Sequence, residues 1–235
     1  MTDIPARPDD LRDGIGTLKE KSLHAEIIAH LAQPGDQLEA LVDRYRIDIL
    51  RSDQVIEVQT RSLGKMKKKV ADLVDAYQIS IIYPIHKVKH IHKIDEKGKT
   101  ISCKRSPKKG KLIEVFKELV NAPDLIAHPN VSLTVMMIES EEFWLDDGEG
   151  SWRRKKWSIV ERKLLAILDQ HLFTQPEDFL DLLPRSLPPQ FTNKDLAEIL
   201  RISTRLAGKI TYTLRKADLI DLIGKQGRAH LFEII

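Results

Sequence analysis

The sequence predicts an α/β protein: a mixed sheet core flanked by helices, with a smaller helix–turn–helix unit at the C-terminal end. Three observations carry this prediction. Ile47-Asp48-Ile49 and Val55-Ile56-Glu57-Val58-Gln59 alternate at period two, the spacing of strands. From Leu63 to Ala76 the apolar positions Met66, Val70, Leu73 and Val74, with Tyr77 beyond, return at helical spacing, and a short apolar run follows at 80–84. A strand–helix–strand unit is expected there. The last 45 residues hold two short amphipathic helical patterns, each preceded by a Ser or Thr, and then two strand-like runs.

Taken in order, residues 1–20 are rich in Pro, Asp, Arg and Gly without a sustained period and read as a loose N-terminal tail. Ser22 is placed to cap a helix running to about Gln33; Leu23, Ile27 and Leu31 recur every four residues and Pro34-Gly35 stops it. Strands are expected at 38–42, 45–50 and 54–60, the last two joined by a tight turn at Ser52-Asp53. After the helix at 63–76 and the strand at 80–84, a polar hairpin pairs 90–94 with 99–104. A helix at 112–120, a strand at 131–138 and an acidic loop at 146–151 complete this part. Ile159, Leu164, Leu165 and Leu168 suggest a helix over 158–171, and Pro176, Pro184, Pro188 and Pro189 mark a connector beyond it. The expected division is a tail at 1–20, a core domain at 21–150, a helical connector at 151–190 and a C-terminal unit at 191–235.

Composition narrows the function classes. Hydrophobic residues make up 42% of the 235 and charged residues 31%, enough for a packed core and against global disorder. The net charge of +3 argues against binding nucleic acid by bulk charge alone, while leaving room for a local basic face. A single cysteine, Cys103, excludes an intramolecular disulfide framework and any multi-cysteine zinc site. No apolar stretch approaches the roughly 20 residues needed to span a bilayer. Met1-Thr2-Asp3-Ile4-Pro5 lacks the basic flank and apolar run of a signal peptide, so a cytoplasmic setting without membrane contact is expected.

The informative constellation is acidic. Asp48 and Glu57 sit in neighbouring, otherwise apolar strands, where an unpaired charge is costly to bury. Two carboxylates held close repel each other, and a hard divalent cation such as Mg²⁺ or Mn²⁺ relieves that repulsion. Gln59, two residues after Glu57, faces the same side of the sheet at period two and can orient water or a phosphate oxygen. Glu26 lies on the first helix, and Lys65 and Lys69 on the helix that follows the strands.

With Glu26 on the first helix, Asp48 in Ile47-Asp48-Ile49, Glu57-Val58-Gln59 on the next strand and a basic helix behind, the chain resembles the PD-(D/E)XK, or restriction-endonuclease-like, superfamily. The helix–strand–strand–strand–helix–strand order over 22–84 is similar to that family's core. The resemblance implies Mg²⁺-dependent hydrolysis of nucleic-acid phosphodiesters, with Asp48 and Glu57 holding the metal and Glu26 supporting it through water. Gln59 stands where the family usually has lysine; the resemblance implies that Lys65 or Lys69 takes over that position.

Basic residues gather elsewhere. Residues 86–117 hold eleven Lys and Arg against three acids. Ser106-Pro107-Lys108-Lys109-Gly110 leads into a predicted helix N-terminus, where backbone N–H groups with Lys108 and Lys109 could bind phosphate. In Trp152-Arg153-Arg154-Lys155-Lys156-Trp157 two indoles frame four cations; anchoring of the connector is the expected role, with stacking on nucleic acid the other. His90 and His92 share a strand face, but no ligand set for zinc is evident around them. Cys103 is expected to be structural.

In the C-terminal unit Thr192 caps a helix over 193–200, and Ser203 or Thr204 caps a second reaching 217, with Leu206, Ile210 and Leu214 on its buried side. Strands at 219–223 and 229–234 flank Gly224-Lys225-Gln226-Gly227-Arg228. This order looks like a winged helix-turn-helix. The resemblance implies that Arg205, Lys209 and Tyr212 face DNA, with Lys225 and Arg228 on the wing. The expected function is a metal-dependent DNA endonuclease, acting as a monomer or homodimer. The rival expectation is a catalytically inactive nuclease-fold DNA-binding regulator, or a subunit of a defence or repair complex.

Overall fold

A computed structural model describes residues 21–235; the tail expected at 1–20 lies outside the described residues. The chain is α/β, with a large mixed sheet flanked by helices. Helix α1 (Lys21–Leu31) buries Leu23 and Ile27. Strands β1 (Gln37–Val42), β2 (Tyr45–Arg51) and β3 (Gln54–Val58) form an antiparallel meander. Its second turn falls at Ser52, in the left-handed region at φ 52°, as the Ser52-Asp53 signal predicted.

A 3₁₀ turn (Leu63–Met66) and α2 (Lys67–Leu73) carry the chain to β4 (Gln78–Ile94), which pairs parallel with β3. The strands expected separately at 80–84 and 90–94 are one 17-residue element despite Pro84. The Ile82 C=O accepts Gln59 N–H, so Pro84, two residues on, faces the same side beyond the last β3 pair. Its missing N–H therefore breaks no bond of the β3–β4 ladder. Strand β5 (Thr100–Arg105) pairs antiparallel with the far end of β4. A 3₁₀ turn (Leu112–Val115), the single turn α3 (Phe116–Leu119) and another 3₁₀ turn (Pro123–Ile126) precede β6 (Val131–Leu145).

The 158–171 helix is corrected: Ser158–Phe173 is the strand β7, and the sheet order is β1-β2-β3-β4-β6-β7 with β5 on β4. Ser-Ile-Val-Glu-Arg-Lys-Leu-Leu-Ala-Ile-Leu is apolar on both faces of a strand as well as at four-residue intervals. Periodicity cannot separate the two states there, and pairing in the sheet overrides the local preference. The connector is therefore not an α-helix; besides β7 it holds a 3₁₀ turn (Trp152–Arg154) and a 3₁₀ segment (Pro176–Leu182) before β8 (Gln190–Thr192). Helices α4 (Asn193–Leu200) and α5 (Thr204–Lys216) follow, and then β9 (Ile220–Gln226) and β10 (Ala229–Ile234), which form a three-stranded sheet in the order β8-β10-β9.

Two compact units cut across the expected boundaries. The first gathers the chain up to Ala32, His86–Gly110 and Met137–Asp169; the second holds Gln33–Ile85, Lys111–Met136 and Gln170–Ile235. In the second, Ile47, Ile49 and Ile81 of the sheet are buried, as are Leu63 and Leu73 of the segment that links β3 to β4, and Phe116, Phe173 and Phe179 make a further core, with Phe173 stacked on Phe179 at 4.3 Å. Among the described residues no helix is long and apolar enough to cross a membrane.

Candidate functional site

In the second unit the β2–β3 ladder pairs Ile49 with Ile56, Leu50 with Val55 and Arg51 with Gln54. One step further along the same register sets Asp48 opposite Glu57. At that step the side chains reach across to backbone: Val58 N–H donates to Asp48 Oδ2 at 2.8 Å, and Asp48 N–H to Glu57 Oε1 at 3.4 Å. Glu57 is buried, 5% exposed. Burial raises its pKa and the Asp48 charge raises it further, against the opposing pull of Lys69. This is the electrostatic signature of an acid pair that gains from a nearby cation.

The cation supplied by the chain is Lys69. Its Nζ lies 2.7 Å from Glu57 Oε1 and 2.7 Å from the Arg46 carbonyl, and the ammonium sits 5.9 Å from the Tyr45 ring centroid. Tyr45 and Arg44 both donate to Asp72, one turn along α2 from Lys69, so the strand and the helix are tied together at this point. Lys65 is exposed on the preceding 3₁₀ turn, so of the two lysines Lys69 is the one that meets Glu57. Gln59 N–H continues the parallel ladder to Ile82 O at 2.8 Å.

Two residues serve differently from expectation. Ser22 is not an N-cap; it lies within α1, and its hydroxyl donates to Arg162 O of β7. Glu26 belongs to the first unit, where its carboxylate accepts the Leu164 N–H. Together they satisfy outward-facing backbone groups of β7, the terminal strand of the sheet, and cover part of an edge that would otherwise be open to pairing. Helical spacing revealed which face Glu26 shares but not that a strand would run beside it.

No group of three or more His, Cys, Asp or Glu side chains with metal-holding geometry occurs among the described residues. A divalent cation at Asp48 and Glu57 would take two carboxylates and complete its shell with water, which suits Mg²⁺. Glu57 is buried and Asp48 half-buried, and the repulsion between them is what such an ion would relieve.

The first unit carries a different polar network. His90 Nε2 lies 2.6 Å from Glu139 Oε1 and His92 Nε2 2.9 Å from Glu141 Oε1. Carboxylates are thus next to these histidines after all, each occupied by one of them. Cys103 is exposed, with Sγ 3.6 Å from His92 Nε2. His86 is half-buried with Nδ1 2.6 Å from Ser140 Oγ, and desolvation, with the Lys89 charge, lowers its pKa to about 4. Lys108 and Lys109 are exposed, but the expected helix behind them is a four-residue 3₁₀ turn followed by one α turn.

In the C-terminal unit the Thr192 hydroxyl accepts from Lys194 and Asp195 N–H, and Asp195 returns a bond to Thr192 N–H at 2.8 Å, a complete capping box. Ser203 caps α5 through Leu206 N–H. Leu206, Ile210 and Leu214 are buried as predicted. Arg205 and Tyr212 are exposed, as are Lys225 and Arg228 on the β9–β10 hairpin. Lys209 is the exception: its ammonium donates to the Lys117 carbonyl at 2.9 Å at the end of α3, so it ties α5 to the body of the unit. Arg215 and Lys216 are exposed on α5 and, with Tyr212, Asp124 and Asp218, line a cavity of about 460 Å³. Helical spacing places Lys216 with Arg205 and Tyr212, and Arg215 one position before it.

Residues 21–174 match the family described as Domain of unknown function (DUF8091). An uncharacterized protein of Treponema pallidum (strain Nichols) is 29% identical over 220 residues, covering 93% of this chain and 86% of the relative. No solved structure matches significantly.

Proposed function

The chain belongs to the DUF8091 family, and we propose that it is a metal-dependent DNA endonuclease of the PD-(D/E)XK type whose C-terminal winged helix contacts DNA. The observation that carries this reading is the convergence of Asp48, Glu57 and Lys69 from two strands and the following helix. An acid pair and a lysine at one point of a mixed sheet are the parts that phosphodiester hydrolysis needs. Asp48 and Glu57 would hold Mg²⁺ or Mn²⁺, which when bound supplies an activated water and charge neutralisation at the phosphate. Lys69, released from Glu57 once the pair is otherwise neutralised, would face a scissile phosphate oxygen and offset its developing charge. Gln59 would orient water or phosphate as a hydrogen-bonding group without charge.

The helix–turn–helix with its exposed hairpin supports the DNA-contact part. Arg205, Tyr212, Arg215 and Lys216 form the open side of α5, and Lys225 and Arg228 sit on the hairpin. One observation favours the inactive regulator instead: Lys69 already pairs with Glu57 through a 2.7 Å contact, with both side chains largely out of water, which is also how a structural ion pair looks.

Nicking of supercoiled plasmid separates the two. With Mg²⁺ or Mn²⁺ the wild-type chain is expected to nick, and Asp48→Ala, Glu57→Ala and Lys69→Met are expected not to, while all three still bind DNA. Binding without cleavage of any substrate form by the wild type would overturn the enzyme reading and leave the regulator.

A further inference from the structure

The six residues Trp152–Trp157, between β6 and β7 of the first unit, are not used by the site above. The structure divides its two tryptophans between opposite roles. Trp157 is an anchor: the Lys93 ammonium sits 4.0 Å from its ring centroid, and its C=O accepts Arg154 Nε–H at 3.1 Å. Trp152 is 79% exposed, with the Arg153 guanidinium 5.5 Å from its ring centroid.

The segment between them is tightly built. Gly150 N–H donates to Lys156 O at 2.7 Å and Lys156 N–H to Ser151 O at 3.1 Å, while Arg154 and Lys155 N–H close turns onto Ser151 and Trp152. A Cβ at Gly150 would lie 2.0 Å from the Trp157 carbonyl, so glycine is required for the two limbs to meet. Lys155 and Lys156 are both left-handed, at φ 53° and 65°, an arrangement that costs on the order of 1 kcal/mol or more for each side-chain-bearing residue. The loop thus holds an indole and the exposed Arg153, Lys155 and Lys156 in a fixed arrangement. A single exposed tryptophan on a mobile loop would call for no explanation; one displayed by a strained, closed loop among cations does.

We infer that this loop is a stacking platform for single-stranded nucleic acid: one unpaired base lies on Trp152, and the flanking phosphates meet Arg153, Lys155 and Lys156. Base–aromatic stacking beside a positive track is the general means of holding a strand without reading its sequence. The same unit contains the 86–110 segment with nine cations against two acids, which favours a polyanion as the partner. An anionic bilayer is the poorer match. Trp152 is the one strongly exposed apolar side chain of the loop, and a membrane plane would also press Asp146, Asp147 and Glu149 of the other limb against negative headgroups, whereas a strand presents discrete phosphates to the cations. The inference does not rest on the Asp48–Glu57 site.

The test uses the full chain in EDTA, so that neither metal binding nor cleavage enters, with oligo(dT) as the probe. Oligo(dT) is expected to quench tryptophan fluorescence, and Trp152→Leu to abolish the quench and weaken binding roughly 10- to 100-fold. Trp157→Phe is expected to keep the quench, and replacing Arg153, Lys155 and Lys156 together by Gln to flatten the salt dependence by about two log–log units. Absence of quenching, or Trp152→Leu binding as tightly as wild type, would overturn the inference. So would a blue shift of the emission with phosphatidylserine vesicles but no response to oligo(dT), which would make the loop a membrane contact. Plasmid nicking is read separately, so either proposal can fail alone.

Discussion

Two buried glutamates, one in each unit, behave in opposite ways. Glu57 is 5% exposed and Glu142 2%, yet Glu57 titrates above the ordinary carboxylate range and Glu142 below it. Burial pushes both upward. Around Glu142 the Lys89 and Arg162 charges outweigh that push: Lys89 Nζ lies 3.2 Å and Arg162 Nε 3.1 Å from Oε1, and Trp144 Nε1–H donates to Oε2 at 3.0 Å. Around Glu57 the nearest titrating partner besides Lys69 is another acid, Asp48. Glu142 is the satisfied centre of a structural network, while Glu57 is held against its own preference. Burial by itself does not mark a site; an acid left under-compensated by its neighbours does.

The largest expected effect is on chemistry. Asp48→Ala and Glu57→Ala should each lower plasmid nicking on the order of 10³-fold, while Glu142→Gln, in a fold that still assembles, should leave the rate per folded molecule close to wild type. Equal losses in all three would break the comparison. Next comes stability in metal-free urea melts at pH 7. Glu142→Gln removes the one carboxylate shared by two half-buried cations and should destabilise by about 3 kcal/mol.

Titration of His86 is expected to be comparable in size. Its folded pKa, about 4, lies below the ordinary 6.5, so between these values the unfolded chain binds a proton that the folded chain does not. Stability should therefore fall as pH drops from 6.5 towards 4, by about 3 kcal/mol over the window, and His86→Gln should flatten that slope in pH-dependent melts.

The smallest effect carries the opposite sign. Because the Glu57 pKa is raised above 4.5, the folded chain keeps its proton longer, and this group's contribution to stability falls as pH rises above 4.5. Glu57→Gln should therefore change metal-free stability at pH 7 by less than about 1 kcal/mol, or raise it, since Lys69 retains the Arg46 carbonyl. A loss as large as that of Glu142→Gln would make Glu57 a structural ion-pair partner and favour the inactive regulator.

Much of this was legible in the residues themselves. The period-two runs fixed which faces of β2 and β3 Asp48 and Glu57 occupy, and Ser52-Asp53 turned one strand onto the other at the register that sets the two acids opposite. Thr192 announced the cap of α4, and Ser203 or Thr204 that of α5, because a cap is a contact within three residues. These features depend on neighbours in the chain, and local chemistry determines them.

What sequence could not decide were the contacts made across hundreds of atoms of backbone. The 158–173 segment is apolar at intervals compatible with helix and strand alike, and the partner strand made it β7. That strand in turn drew Ser22 and Glu26 onto its edge, and the end of α3 drew Lys209 away from the open side of α5. Between Lys65 and Lys69 the choice depended on which turn of the helix passes over β2 and β3. In each case a side chain's charge was readable from the sequence, but its partner was set by long-range packing, and only the tertiary structure could say whether that charge was already satisfied.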